Sequence, residues 1–494
     1  MVRQKRAEIF ALPRLHRTPS LPFADHPVTL GPLMFEARQG KNRNNTVEQN
    51  YPSISRGSSH PSYSIHARRI LSPSPDMLIP TAPLPRPGTK SWTNQFRASR
   101  SVLSVLAGFV PIATIFAFIC FRGLLDAPDA SAKKQVRFSS LDELSRSIHT
   151  DPANSQFEGC FINVSGELAC NHGGSLAELP DGTLVCTWYA ASSEAAPDAR
   201  IFCSRLVKGS RSWSEPEVIV RPQTPIPGHW FANKSVGDTV LFLDREQCLW
   251  LFFAGVTIGG WSGAHVDFVV SHDFGRHWSP VQRLIDGFGQ SPRSKLVELA
   301  DGQVMIPLSS WLFHWDGYTV CLNLSDGQVI KKSIAAKIPG PENSQPSLVT
   351  LNNHDIVAYL RNPRGGSVLF SKWDPALKQW SPARSINLPS PDSAVDAIPC
   401  ENGVLIVYTS DLNHRFCMSV AWSADGEHFS QLKSLGDRTD VSASYPTVIR
   451  SSDGDYHLIY TYAGRSMIKY LHLPKDWIHE AVARVLSKSV ISNQ

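Results

Sequence analysis

The sequence lacks the cysteine spacings that usually hold metal ions in proteins. Its 494 residues include nine cysteines, but no two form a CxxC pair and none lies in a cluster with histidines. We therefore predict neither a metal centre nor a bound cofactor. Cys160 and Cys170 bracket a short stretch and could form a disulfide outside the cytoplasm. Four others lie in apolar, strand-like runs where a buried free thiol is the simpler interpretation: Cys186, Cys203, Cys248 and Cys321.

Acidic residues are scarce in the first 100 residues. This part has 5 Asp and Glu against 15 Lys and Arg, whereas the rest of the chain carries 38 against 33. It is rich in proline, serine and arginine, and residues 71–89 are typical of an extended, disordered segment. A basic tail can contact nucleic acid or membranes, but we interpret the charge as a topology signal and predict no nucleic-acid partner. Residues 1–100 are either a disordered tail or the product of a wrongly chosen start codon.

Charge is absent from residues 101–121, SVLSVLAGFVPIATIFAFICF. Crossing a bilayer takes roughly 20 apolar residues, so we predict a transmembrane helix over residues 101–122. A buried core helix is the alternative, whereas the length and position disfavour a cleaved signal peptide. The upstream positive charge places the N-terminus in the cytoplasm and residues 123–494 outside it, in a single-pass membrane protein. Four basic residues after the run oppose this orientation: Arg122, Lys133, Lys134 and Arg137.

Two apolar runs joined by a tight turn recur six times after residue 170. The turns lie near residues 181, 245, 301, 353, 402 and 453. Asp-Gly and Asn-Gly between β-rich runs are strong hairpin signals, and a period of about 50–65 residues indicates a solenoid or a propeller. Strand-rich repeats favour propeller blades of about four strands. The sequence therefore predicts an all-β fold with a six-bladed β-propeller over residues 161–480, between a linker over 123–160 and a C-terminal tail over 481–494.

The motif SHDFGRHWSP, residues 271–280, combines turn-forming residues with an aromatic anchor. Partial copies follow other hairpins as KGSRSWSEP, SKWDPALKQWSP and SADGEHFSQ. The pattern predicts a turn between the outer strands of a blade, in which the Asp273 carboxylate accepts backbone N–H bonds. Because such turns lie far from the axis where propellers bind ligands, we interpret Asp273 as structural.

Ser-x-Asp-x-Gly-x-x-Trp repeats on a six-bladed propeller resemble the sialidase (neuraminidase) superfamily, in particular its bacterial branch with BNR or Asp-box repeats. The resemblance covers about residues 165–475. It implies that Arg361 in DIVAYLRNPRGG and Arg415 in SDLNHRFCMS bind a substrate carboxylate, and that Tyr445 in SASYPTVIR is the nucleophile. Arginine suits this role because its planar fork donates two parallel hydrogen bonds. A neutral phenol avoids the repulsion that a carboxylate nucleophile would meet beside the carboxylate of a sialic acid.

Two positions depart from the family pattern. His172 stands where the first arginine of the family is expected, and a histidine binds a carboxylate only when protonated. Gln345 stands where a glutamate assists the tyrosine, and an amide cannot act as a base. Either another carboxylate reaches Tyr445, or the nucleophile has no activator.

The resemblance places the acid/base in the loop after the first hairpin, where Glu194 and Asp198 are candidates. Each is also readily explained as a solvated loop carboxylate. Further candidates for the substrate site flank other hairpins: Arg293, Asp396 and Arg465. Arg293 could replace the missing arginine. Arg205 is better explained as structural, and Trp261 is either a sugar-stacking platform or a packing residue.

The leading functional prediction is an exo-glycosidase of the sialidase type that removes a terminal acidic sugar from a glycan. A non-catalytic glycan-binding propeller is the alternative, which His172 and Gln345 favour. An interaction scaffold is a third possibility. The predicted partners are a glycan or glycoconjugate and, through one helix, a membrane.

Overall fold

The computed structural model describes residues 157–162, 168–435 and 441–492, with side chains as far as residue 488. The predicted N-terminal tail, the predicted transmembrane helix and nearly all of the predicted linker lie outside these residues. Within the described residues, no helix has the length and apolar character that a membrane span requires.

The strands of the described residues form six antiparallel sheets, which are the blades of the predicted propeller. Blade one contains β2 (Cys170–Glu178), β3 (Leu184–Ala191), β4 (Arg200–Leu206) and β5 (Glu217–Val220). Blade two contains β6 (Ser235–Leu243), β7 (Leu249–Val256), β8 (Ala264–Ser271) and β9 (Gln282–Ile285), with a short 3-10 helix (Trp261–Gly263) before β8. Blade three contains β10 (Gln290–Pro292), β11 (Val297–Glu298), β12 (Val304–Ser310), β13 (Asp316–Ser325), β14 (Gln328–Lys332) and β15 (Ala336–Lys337).

The other three blades follow the same plan. Blade four contains β16 (Ser344–Thr350), β17 (Ile356–Arg361), β18 (Ser367–Asp374), β19 (Gln379–Trp380) and β20 (Arg384–Pro389). Blade five contains β21 (Asp396–Cys400), β22 (Gly403–Thr409), β23 (Met418–Ser423) and β24 (Ser430–Ser434). Blade six contains β25 (Ala443–Arg450), β26 (Tyr456–Tyr462), β27 (Met467–Leu473) and β1 (Glu158–Phe161), and helix α1 (Lys475–Ser492) follows. The six predicted hairpins are the innermost hairpins of the six blades.

The ring is closed by the first described strand. β1 pairs antiparallel with β27, Gly159 opposite Leu471, so residues from both ends of the domain build blade six. The predicted linker boundary at residue 160 therefore falls inside a strand. The predicted boundary at residue 480 falls inside α1. Trp477 and Ile478 of this helix pack into the apolar cluster between blades five and six, so the start of the helix belongs to the domain.

The apolar core is divided among the interfaces between neighbouring blades. One cluster joins blades one and two, another joins two and three, and the series continues around the ring to blades six and one. Middle strands such as β3 and β7 are buried along their whole length. Since both faces of each blade are covered, these strands show continuous apolar runs instead of the alternation expected of a half-exposed sheet.

The disulfide considered between Cys160 and Cys170 is not formed, and both thiols are free. Cys160 lies on β1 opposite Tyr470, whereas Cys170 lies on β2 opposite Ala191. The two cysteines therefore belong to different blades, which proximity in sequence did not reveal.

The SHDFGRHWSP motif forms the turn between the outer strands β8 and β9. The Ser271 hydroxyl accepts the Gly275 N–H at 2.7 Å, and Asp273 accepts the His277 N–H at 2.8 Å. Of the several hydrogen bonds that lower the pKa of Asp273 below its usual value, the one from the His277 N–H has the largest effect. The Arg205 side chain of blade one donates to the Phe274 and Gly275 carbonyls at 2.9 and 2.6 Å. The turn thus ties two blades together, and the contacts of Arg205 agree with its predicted structural role.

The partial copy SADGEHFSQ folds in the same way between β23 and β24. Gly426 N–H donates to the Ser423 hydroxyl at 2.9 Å, and Asp425 accepts the His428 N–H at 2.8 Å. Phe429 is buried at the place of the tryptophan. This copy is degraded in sequence but not in structure, because its hydrogen bonds need only the serine, the aspartate and the glycine.

Candidate active site

Four of the six inner strands carry an irregularity near their first residues. The pairing register of β2, β6, β16 and β25 shifts there. The residues at these bulges have left-handed backbones, with φ of +61° at Gly173, +38° at Asp238, +50° at Gln345 and +56° at Tyr445. A bulge re-aims a side chain, and left-handed backbone at residues other than glycine is concentrated at functional sites. The inner strands contact one another around the ring, so the bulges bring these residues to the same end of the axis.

Tyr445 is joined to two of the predicted site residues. The Arg361 Nη1 donates to the Tyr445 phenol oxygen at 3.0 Å and to the Gln345 Oε1 at 3.2 Å. The Gln345 Nε2 donates to the same phenol oxygen at 3.4 Å. Blades four and six therefore supply one hydrogen-bonded group. Gln345 acts in it as a donor to the tyrosine, consistent with an amide that cannot accept the phenol proton.

Arg361 is held in a fixed orientation by aromatic and charged neighbours. Its guanidinium carbon lies 5.9 Å from the ring of Trp311 and 5.3 Å from the ring of Trp315. The Trp311 indole is fixed in turn by a 2.8 Å hydrogen bond to Ser291. Burial opposes the charge of Arg361, but Tyr445 and an aspartate described next outweigh it and raise its pKa above the usual value.

Arg415 follows β22 and approaches the group from blade five. Its guanidinium carbon lies 6.0 Å from the Tyr445 ring, and its Nη2 lies 3.3 Å from Asp392 Oδ2. The other carboxylate oxygen of Asp392 accepts the Arg361 Nε at 2.6 Å. Asp392 thus bridges the two arginines. We did not select it from the sequence, because its loop, SPDS, lies outside every hairpin and resembles an ordinary turn.

Arg465 and Glu194 form an ion pair between blades six and one. The Arg465 Nη1 contacts Glu194 Oε2, and the Trp261 indole N–H donates to Glu194 Oε1 at 2.9 Å. Coulombic attraction to Glu194 and Tyr189 outweighs burial and raises the pKa of Arg465. Trp261 therefore holds the Glu194 carboxylate. Its own ring packs edge to face with Tyr189, with 6.0 Å between the ring centroids.

Asp198 is not brought to this group. Its carboxylate accepts the Ser192 N–H at 3.2 Å and the Ser192 hydroxyl at 3.1 Å. These bonds close the loop between β3 and β4. The loop also contains Glu194, so the two predicted acids have separate surroundings although they are four residues apart.

His172 lies beside Tyr445, with 4.1 Å between ring centroids, and its Nδ1 is 2.9 Å from the Thr461 hydroxyl. Its Nε2 has no hydrogen-bond partner among the described residues. Burial, followed by the charges of Arg465 and Arg293, lowers the pKa of His172 well below 6.5. These effects disfavour the charged imidazole, whereas carboxylate binding by His172 requires it.

Arg293 is also buried beside Tyr445, with its guanidinium carbon 5.2 Å from the ring centroid. Its Nη2 donates to the Pro446 carbonyl at 2.9 Å, and its Nη1 lies 3.3 Å from the Thr447 hydroxyl and 3.4 Å from the Gly174 carbonyl. These donors join blade three to blades six and one. Arg293 reaches the axis as predicted, but its Nη1 and Nη2 donors are engaged by the propeller itself.

Asp396 also reaches the axis and is fully engaged there. It forms a short ion pair with Lys295, accepts the Ser347 hydroxyl at 2.8 Å and accepts the Val448 N–H at 2.8 Å. The carboxylate connects blades three, four, five and six. Its contacts are those of a structural tie, in contrast to the substrate-binding role considered from the sequence.

Asp238 is a second residue near the axis that sequence reasoning missed. It is buried, and its carboxylate accepts no hydrogen bond from any described residue. Burial, only partly opposed by Arg293, raises its pKa to about 7. The signal was present, because an alignment of the six inner strands places Asp238 at the same bulge as Gln345 and Tyr445. No family motif marks it, so the comparison of hairpin flanks passed over it.

The arrangement is suited to a small anionic ligand. It combines two adjacent guanidiniums, a phenol oxygen and a carboxyl group that titrates near neutrality. Among the described residues, no group of three or more His, Cys, Asp or Glu could hold a metal ion.

Comparison with known proteins agrees with this fold. The model of the BNR repeat-like domain family matches residues 182–458. A protein of unknown function from Dyadobacter fermentans is 15% identical, with a TM-score of 0.51 over 64% of this chain and 98% of that chain. The Hadza microbial sialidase Hz136 is 13% identical, with a TM-score of 0.52 over 64% and 68%. The NanB sialidase from Streptococcus pneumoniae is 10% identical, with a TM-score of 0.53 over 64% and 70%.

None of the curated proteins compared matches the chain. Identities this low establish the likeness of the fold alone. The predicted resemblance to sialidase-type repeat propellers is confirmed at that level, by the repeat family and by the solved structures.

The raised pKa of Asp238 predicts a pH-dependent effect on stability. Between about pH 4 and 7 the folded state keeps a proton that the unfolded state has released, so stability falls as pH rises, by up to about 1.4 kcal/mol per pH unit. Asp238→Asn removes this effect, and asparagine tolerates left-handed backbone. We therefore expect the difference in unfolding free energy between the variant and wild type to increase from about pH 4 to pH 7, in favour of the variant, and to stay constant above pH 7. Denaturant unfolding at about pH 4.5, 6 and 8 measures this, and a gain independent of pH would contradict the assignment.

Proposed function

The chain belongs to the BNR repeat-like domain family, and we propose that its propeller is a sialidase-type exo-glycosidase that hydrolyses a terminal acidic sugar from a glycan. The observation that carries the proposal is the group around Tyr445. Its phenol oxygen lies 3.0 Å from Arg361, and Arg415 lies against its ring. The oxygen that we propose as the nucleophile therefore lies next to two cations suited to hold a substrate carboxylate.

The charge of Arg415 supports an anionic substrate. Burial, together with the neighbouring Arg361, lowers its pKa. Among the described residues, its side chain has one hydrogen-bond partner, Asp392. A buried cation with few partners is stabilised by an added anion, and a carboxylate matches the guanidinium fork in shape as well as in charge.

The proposed reaction has two steps. Tyr445 releases its phenol proton to solvent and its oxygen forms a bond to the anomeric carbon while the glycosidic bond breaks, and the leaving oxygen takes a proton from a carboxylic acid. Water then adds to the anomeric carbon and the sugar–tyrosine bond breaks; the proton lost by this water returns to the carboxylate, and a solvent proton restores the phenol. Arg361 stabilises negative charge on the phenol oxygen, and a phenol avoids the repulsion between two carboxylates at this carbon.

Asp238 has the properties required of the acid in this reaction. With a pKa of about 7 it is partly protonated at neutral pH, and its carboxylate has no hydrogen-bond partner among the described residues. A general acid works best when its pKa lies near the working pH. Glu194 is held by Arg465 and Trp261, and Asp198 is held by Ser192, so neither is as free to transfer a proton.

A non-catalytic glycan-binding site is the second candidate function, and one contact favours it. Gln345 donates to the Tyr445 oxygen and cannot take its proton. In the described structure, no carboxylate is hydrogen bonded to this phenol. Binding of the sugar needs no activation of the tyrosine, whereas hydrolysis does.

The transmembrane helix predicted over residues 101–122 lies outside the described residues, so its proposal rests on the sequence alone. We propose a single-pass membrane protein with the propeller on the extracytoplasmic side. In intact cells, external protease should remove a tag placed after residue 494 and spare a tag placed before residue 1. Protection of the C-terminal tag would contradict this topology.

Tyr445→Phe tests hydrolysis directly. The variant keeps the ring but loses the oxygen that bonds to the sugar, so we expect turnover of a fluorogenic sialoside to fall by roughly 10²-fold or more. Related nonulosonic and uronic acid glycosides are assayed in parallel. Tyr408→Phe is the matched control. It removes a phenol oxygen that is hydrogen bonded to Gln431 within blade five, and it should leave the turnover rate unchanged. Equal turnover by wild type and Tyr445→Phe would rule out the proposed nucleophile.

Gln345→Glu separates the two candidate functions. A glutamate at this position places a base at the Tyr445 oxygen, while its other oxygen can still accept from Arg361. If the site is hydrolytic but poorly activated, we expect kcat for the sialoside to rise by at least about tenfold, toward the usual contribution of a general base. If glycan arrays show binding by both forms and neither turns over any glycoside, the propeller is a binding module.

A further inference from the structure

Asp392 occupies an unusual place between the two site arginines. Its Oδ1 accepts the Arg361 Nε at 2.6 Å, and its Oδ2 lies 3.3 Å from the Arg415 Nη2. Its side chain is 36% exposed, compared with 18% for Arg415 and 6% for Arg361. A carboxylate that only supports an arginine usually lies behind it. Here the carboxylate is the most exposed of the three, so it covers the arginines from the side open to solvent.

The two edges of the Arg361 guanidinium are already in use. A carboxylate can accept two parallel bonds either along the edge with Nε or along the end with both Nη atoms. Asp392 takes Nε, and Nη1 donates to Tyr445 and Gln345. A second carboxylate can therefore gain paired bonds from Arg361 along the Nε edge only when Asp392 has left it.

The loop that carries Asp392 is anchored on both sides. Ser390 N–H donates to the Gly366 carbonyl at 2.9 Å, and the Thr409 hydroxyl donates to Ser393 at 3.1 Å. Asp392 itself has a left-handed backbone, with φ of +55°, and its carboxylate has only the two arginines as partners among the described residues. Rotation of this one side chain is enough to uncover Arg361 and Arg415 while the anchors stay in place.

We propose that Asp392 is an internal carboxylate that occupies the position of the substrate carboxylate and must be displaced before an acidic sugar binds across Arg361 and Arg415. The identification of the displacing ligand as an acidic sugar rests on the proposed function. The contacts of Asp392 with the two arginines are independent of that function. Asp392 acts in this way as a specificity-determining residue. Small anions gain too little from the two arginines to replace it, whereas a sugar acid adds contacts through the rest of its ring.

Asp392→Asn and Asp392→Gly test the proposal. Both residues tolerate left-handed backbone; the first removes the charge and the second removes the side chain. Binding of free N-acetylneuraminic acid and of pyruvate is measured by NMR titration of the whole chain. We expect both variants to bind each carboxylate at least about tenfold more tightly than wild type, since a charge-assisted bond to each arginine becomes available. Affinity for N-acetylmannosamine, which has no carboxylate, should not change.

Glu342→Gln is the matched control for loss of one negative charge. Glu342 pairs with Arg364 at 2.8 Å on an exposed part of blade four and contacts neither site arginine. An equal gain in this variant would overturn the proposal, because the effect would then be one of net charge. Unchanged or weaker carboxylate binding in both Asp392 variants, with melting temperatures near that of wild type, would also overturn it and identify Asp392 as a support for the arginines.

The Arg361 Nε–H resonance provides a readout that does not depend on a variant. In wild type, saturation with N-acetylneuraminic acid should move this signal, because its acceptor changes from Asp392 to the ligand. Binding without such a shift contradicts displacement. A third outcome is that the Asp392 variants bind pyruvate more tightly but bind and turn over no sugar acid. This result would support the role of Asp392 in blocking carboxylates from Arg361 and Arg415, and it would contradict the proposed function.

Discussion

The pairing of β1 with β27 is the constraint on which the rest of the structure depends. It closes six sheets into a ring, and a closed ring forces the six inner strands to meet at one axis. The apolar core is divided among six interfaces between blades, so no single core governs the fold. The side chains at the axis are set by the ring as a whole, because each inner strand is positioned by the two blades beside it.

Convergence brings charge to the axis, and the protein handles it at two levels. Just beyond the bulges of the inner strands, at Ser347, Thr447 and Val448, the charged groups are matched. Arg293 donates to backbone carbonyls and a hydroxyl, and Asp396 is bound by Lys295, a hydroxyl and an N–H. These groups tie blades together. Around the bulges themselves, Asp238 has no hydrogen-bond partner among the described residues, and Arg415, in the loop after β22, has one. The unmatched groups mark the end of the axis that is open to a ligand.

Two contacts decide how this site differs from a simple arginine–tyrosine hydrolase. The amide of Gln345 keeps the geometry of an assisting residue and loses its basicity, while Asp392 fills the gap between the arginines. Under the proposed function, the site is preorganised for an anion and restrained at two separate points, at binding by Asp392 and at activation of Tyr445 by Gln345.

The sequence by itself determined the blade count, the inner hairpins and the outer-strand turns, because hairpin and turn signals act over a few residues. The resemblance to the sialidase superfamily, followed along those hairpins, brought Arg361, Arg415, Tyr445 and Gln345 into consideration, and the structure places them together. Only the tertiary structure decided the rest. Burial, followed by the charges of arginines from other blades, lowers the pKa of His172. Arg293 and Asp396 are engaged by strands far away in sequence, and Asp238 and Asp392 matter through neighbours on other blades. Burial, charge compensation and pKa depend on distances across the ring, and no local pattern encodes those distances.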